Sequence, residues 1–101
     1  MAHPLTWSKQ AQKDLYDIFH FLATTSDMHA EFVTGSIIEA TRKLESFPHL
    51  GRVAAESNHP SLRELLVVKY RVFYYLTDDG RIDILAVRHS SRPFQDTILP
   101  N

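Results

Sequence analysis

Residues 62–89 read LRELLVVKYRVFYYLTDDGRIDILAVRH, and this stretch decides the fold. Leu62 to Val68 is rich in Leu and Val. Tyr70, Val72, Tyr74 and Leu76 then alternate with Arg71, Phe73 and Tyr75, the two-residue period of a strand whose faces differ. Asp78-Asp79-Gly80 is a hairpin signal, because a tight turn favours residues that tolerate positive φ. Arg81 to His89 follows as a β-branched strand carrying Ile82, Ile84 and Val87. These segments predict a three-stranded antiparallel meander whose register is open. A two-residue loop at Asp79-Gly80 sets Arg71 across from Arg88 and puts His89 on the other face, and a three-residue loop or a bulge reverses this, since a one-residue shift flips every side chain.

Upstream, the period changes from two to three and four. Leu5-Thr6-Trp7 alternates as a short N-terminal strand, and Ser8 offers a capping oxygen before Ala11, Leu15, Ile18 and Leu22, which predicts an amphipathic helix from about Ser8 to Thr25. Ser26-Asp27 signals a second start, and Ala30, Val33, Ile37, Ala40, Leu44 and Phe47 carry one apolar stripe as far as Pro48. So few residues separate the two helices that they fold back as an antiparallel hairpin. Between Pro48 and Ser61 the pattern lapses, and Pro48, Gly51, Asn58 and Pro60 predict a long surface loop. The tail from Ser90, with Pro93 and Pro100, reads equally as a short helical turn or as loose chain. The expected fold class is α+β: N-terminal strand, antiparallel helical hairpin, then three-stranded antiparallel meander. The helices cover one side of the sheet and leave its remaining surface for a protein partner.

The chain of 101 residues, 44% hydrophobic and 11% aromatic, has the size of a single domain over residues 1–101. It has no cysteine, which removes thiol catalysis and thiolate metal sites and fits a reducing cytoplasm. The first residues lack a basic start followed by an apolar run, and no stretch approaches the roughly 18 apolar residues of a membrane span. A soluble cytoplasmic protein without membrane attachment is therefore expected. Formal net charge is -1. Residues 1–61 hold five Lys/Arg against seven Asp/Glu, and residues 62–101 six against five. Neither half forms the basic patch of a broad nucleic-acid binder. The six histidines, at 3, 20, 29, 49, 59 and 89, never fall three or four apart, so no helix-face metal pair is expected, nor any cofactor.

Trp7-Ser8 before a helix with Ala11 and Asp14-Leu15 begins an ordered set. Pro48 with Gly51-Arg52, Arg63-Glu64, Tyr70-Arg71-Val72 with Tyr74, and Val87-Arg88-His89 with Arg92 complete it. In this order and spacing the chain resembles the RelE/ParE toxins over nearly its whole length, and is closer to the ParE branch. The resemblance implies a toxin of a type II toxin–antitoxin system, held in a hetero-oligomer with a cognate antitoxin. Its ParE branch implies a non-hydrolytic inhibitor of DNA gyrase, and its RelE branch a metal-independent endoribonuclease that cuts messenger RNA on the ribosome.

Cleavage through a ribose 2′-hydroxyl needs a proton acceptor, a proton donor and cations. Arg71 matches the family's strand arginine, and Arg63 and His89 complete the candidate ribonuclease set, since imidazole titrates near neutral pH. The tail, however, has no tyrosine to donate a proton; Phe94 has no proton to give and Asp96 repels phosphate. The gyrase reading needs no catalytic residue, and its candidate contacts with target or partner are Arg71, Tyr75, Arg88, His89 and Arg92. Each has a plainer reading beside it. An arginine at position 71 pairs readily with Glu64 or Asp83, a strand-end histidine commonly bonds backbone, and Arg92 fits a tail contact to a carboxylate.

Overall fold

The structure, a computed structural model, describes residues 2–99. Strand β1 is Leu5–Trp7, helix α1 Lys9–Ala23 and helix α2 Asp27–Leu44. Strands β2 (Arg52–Val53), β3 (Leu62–Val67), β4 (Tyr70–Leu76) and β5 (Ile82–His89) follow, and a 3-10 turn spans Asp96–Ile98. The five strands form one sheet in the order β1-β5-β4-β3-β2. This is the expected α+β architecture, with two additions.

The first addition lies in the segment read as an unbroken loop. Arg52 and Val53 pair antiparallel with Glu64 and Arg63, because the chain leaving α2 must pass the outer edge of β3. Two residues carry no period, so sequence patterning missed them. The second is the placement of β1, which runs parallel to β5, pairing Leu5 with Ile82 and Trp7 with Ile84. The sheet is therefore mixed, and its first strand closes against its last.

Both helices begin as their caps dictate. The Ser8 hydroxyl accepts from the Ala11 N–H at 3.0 Å and the Ser26 hydroxyl from the His29 N–H at 3.1 Å, each satisfying an amide with no partner inside its helix. Asp27 in the first turn of α2 and Arg42 and Lys43 in its last complement the helix dipole. The helices are shorter than the stripe suggested: α2 ends at Leu44, and Phe47 is exposed. Ala11, Val33, Ile37 and Leu44 pack on Tyr70, Val72, Tyr74, Ile82, Ile84 and Val87 in the main core. Burying each large aliphatic side chain is worth about 1.5–3 kcal/mol.

The opposite face of the sheet is not bare. Leu62, Phe73 and Ala86 form a smaller cluster with Ala54 and Ile98, flanked by Phe94 and Leu99. The residues after β5 fold back over part of this face, so the free surface is narrower than the helices alone would leave.

The register at the β4–β5 turn combines both alternatives. Thr77 and Arg81 close a three-residue loop, with the Gly80 N–H on the Thr77 carbonyl and the Thr77 N–H on the Arg81 carbonyl, and Gly80 sits at φ 85°. The ladder then shifts between Phe73 and Tyr74, since Phe73 faces Ala86 while Tyr74 faces Ile84. Leu85 is the extra residue of a bulge. Loop and bulge cancel, so Arg71 faces Arg88 and Tyr70 faces His89. The Leu85 carbonyl accepts from the Ser8 hydroxyl at 3.0 Å, tying the bulge to the start of α1.

Candidate functional site

Alternation along β4 turns Tyr70, Val72 and Tyr74 toward the helices and Arg71 and Phe73 away from them. On that far face Arg71 is 9% exposed, a charged group that must be paired to be buried. Glu64, across on β3, takes it in a fork: Arg71 Nη2 donates to Glu64 Oε2 at 2.6 Å and Nε to Oε1 at 3.3 Å. A second carboxylate comes from the connection between β2 and β3, where Glu56 Oε1 accepts from Arg71 Nη2 at 2.8 Å. Arg52 reaches Glu64 from outside at 3.1 Å. The guanidinium also lies 4.7 Å over the Phe73 ring, a cation–π contact. Donating to the Glu64 carboxylate raises the Arg71 pKa above the ordinary arginine value, and the bond Arg71 donates to Glu56 holds that carboxyl below the ordinary carboxylate value.

Beside this network Arg88 and Arg92 line a narrow crevice with Arg71, Phe73, Pro93 and Phe94. Arg88 comes within 3.4 Å of the Asp14 carboxylate, while its buried Nε has no hydrogen-bond partner among the described residues. Asp14, on α1, also accepts the Val87 backbone N–H at 2.9 Å, so one carboxylate joins helix, strand edge and arginine. Arg92 is exposed.

His89 stands on the other face. Its ring meets Tyr70 edge-on at 5.3 Å, and Nδ1 accepts from the Ser91 backbone N–H at 3.1 Å and lies 2.7 Å from the Ser91 hydroxyl. With Ile18, Phe21, Asp14, Asp17 and Arg92 it borders an open hollow of about 620 Å³. Arg63 sits near the β2 edge, its Nη1 donating to the Gly51 carbonyl at 2.6 Å. Because it pairs with Tyr74 whereas His89 pairs with Tyr70, the two are offset by four residues along β4, roughly 13 Å. Tyr75 lies on the far face with its ring against His59.

The six candidate residues therefore divide. Arg71, Arg88 and Arg92 converge on one crevice, whereas His89 faces the helix side, Arg63 braces a turn, and Tyr75 lies farther along β4. Two participants escaped sequence reasoning. Glu56 lies in a segment without period, and Asp14 carries no spacing signal that links it to a strand more than seventy residues away. The Gly51 motif has a structural purpose: its N–H donates to Tyr74 Oη at 2.9 Å, and Tyr74 Oη donates to the Pro48 carbonyl at 2.8 Å. A Cβ there would meet Glu64 O at 2.5 Å, so only glycine fits.

A helical hairpin on one face of this mixed sheet is a fold found in solved toxins. The fold is shared by the chromosomal ParDE system of Pseudomonas aeruginosa (TM-score 0.70, 21% identity, covering 87% of this chain and 96% of that one). It is shared also by a double mutant of the Escherichia coli toxin RelE in the free state (TM-score 0.65, 14% identity, covering 90% of this chain and 86% of that one). Toxin RelE2 of Caulobacter vibrioides is 31% identical over 88 residues, covering 87% of this chain and 96% of its own. Residues 5–94 match the family model of the ParE toxin of type II toxin–antitoxin systems, parDE, and the chain belongs to that family.

Proposed function

We propose that this toxin, acting as one domain over residues 1–101 in the cytoplasm, inhibits DNA gyrase by binding it and trapping broken DNA. A cognate antitoxin neutralises it in a hetero-oligomer. The observation that carries this reading is the separation of the candidate ribonuclease groups: Arg71 and His89 lie on opposite faces of one sheet, and Arg71 already holds two carboxylates. A phosphorane formed during RNA cleavage needs its acid, base and cation around one phosphorus, and Arg63, Arg71 and His89 do not surround one point. A surface inhibitor has no such requirement. The chromosomal ParDE toxin–antitoxin system, whose fold the chain shares, supports an antitoxin partner.

The test is a supercoiling assay with purified toxin and gyrase, read for lost supercoiling and for protein-linked cleaved DNA, beside primer extension on translated messages. Inhibition that persists in His89→Ala is expected. Message cleavage abolished by His89→Ala, with supercoiling untouched, would establish the ribonuclease instead.

A further inference from the structure

The two edges of the sheet are treated differently. On the β5 side, β1 stops at Trp7, and the backbone groups beyond it are closed off by side chains and caps. Ser8 N–H donates to the Ile84 carbonyl at 2.9 Å, the Ser8 hydroxyl donates to Leu85 O, and Asp14 accepts the Val87 N–H. The backbone groups of β5 past Trp7 are thus already engaged. On the other side β2 covers only Arg63 and Glu64. Leu66 is opposite Arg71 on β4, and backbone alternation turns its N–H and C=O outward, where no strand pairs with it among the described residues.

This open edge lacks the usual protection. Proteins blunt exposed strands with lysine, proline, bulges or inward charges, but Leu65-Leu66-Val67-Val68 is uninterrupted apolar sequence. Leu66 is 64% exposed and Val68 46%, and Val68 holds φ 56°, a conformation that strains a β-branched residue. Beside the edge a hollow of about 450 Å³ runs between β3 and α2, walled by Glu39, Ala40, Lys43 and Leu50.

Those walls are complementary to themselves. Glu39 and Lys43 lie one helical turn apart on the same side of α2; among the described residues Glu39 meets only the exposed Arg42, at 3.5 Å, and Lys43 has no ion pair. We propose that two copies of this chain pair through this edge, β3 against β3 and antiparallel, about a two-fold axis near Leu66. Leu66 then exchanges two backbone hydrogen bonds with Leu66 of the second copy. The two α2 helices run antiparallel across the axis, which sets Glu39 of each beside Lys43 of the other, the isologous match that a two-fold interface demands. The free edge is only as long as Leu65–Val68, bounded by β2 and by the Val68 turn. A second copy fits that length and brings its own charged wall.

Sedimentation of the purified chain over a concentration series is expected to show a species of twice the chain mass, and Leu66→Lys, a change at an exposed position, to leave only monomer. Glu39→Lys and Lys43→Glu should each raise the dissociation constant about tenfold, and the double swap should restore it, because the reversed pair is again complementary. Circular dichroism checks that each variant stays folded. A chain that is monomeric throughout, a dimer indifferent to Leu66→Lys, or charge effects that add rather than cancel would overturn the proposal. So would an edge whose amides resist hydrogen exchange only when the antitoxin is bound.

Discussion

The two faces of the sheet share the same central strands but are held by different forces. Toward the helices, Ile37, Leu44, Val72, Ile82 and Ile84 are fully buried, and stability there comes from apolar area and close packing. On the far face the apolar cluster is small, and the strands are joined by Arg71 with Glu64 and Glu56. The comparison teaches where sequence can vary. A packed face tolerates apolar exchange of similar volume but not loss of volume, whereas an ion network tolerates joint replacement better than removal of one member.

The largest loss should follow from emptying the packed face. Leu44→Ala or Ile37→Ala is expected to cost about 2–5 kcal/mol in urea unfolding; less than about 1 kcal/mol would mean that the helices are not seated as described. Next comes Glu64→Gln, which leaves Arg71 buried with only the outer carboxylate. A loss of about 3 kcal/mol is expected, and Glu64→Met with Arg71→Met should recover most of it. If the double variant is worse than the single, the network stabilises beyond its own desolvation and the comparison between faces fails. Tyr74→Phe removes the hydroxyl bonded to Gly51 and Pro48 and should cost about 1–2 kcal/mol, with little effect on the arginine crevice.

The smallest effect belongs to Glu56, whose side chain is half exposed. Arg71 lowers its pKa below the ordinary 4.5. A lowered folded value means that the pair adds stability above the unfolded pKa and loses it as the pH falls through the folded one. Glu56→Gln should therefore lower stability slightly at neutral pH, and the gap from the parent should close as the pH falls below about 4.5. An unchanged acid profile would show that Glu56 does not hold Arg71 in solution.

The helices and the three-stranded meander were legible because each repeats its period long enough to be read. Ser8 and Ser26 marked both helix starts correctly. What escaped were features whose cause is distant in sequence or too short for a pattern. The two residues of β2 exist because β3 offers an edge. The parallel seat of β1 depends on β5, whose Ile82 and Ile84 pair with Leu5 and Trp7, and not on Leu5-Thr6-Trp7 itself. The turn was recognised at Asp78-Asp79-Gly80, yet its register depended on the Leu85 bulge, which Ser8 stabilises from the other end of the chain. For the candidate site, the pairing of Arg71 with Glu64 was open to a reading of neighbouring strands. Glu56 and Asp14 were not, because each reaches its arginine through tertiary placement alone.

The parallel ladder between β1 and β5 also bears on the order of events during synthesis. Leu5 finds its partner only when Ile82 is available, and the arginine crevice needs residues as late as Phe94. Contacts so distant in sequence close late, and a growing chain gains them only once these later residues have been made. A nascent chain that has made only the helical hairpin thus holds neither the arginine crevice nor the β1–β5 ladder.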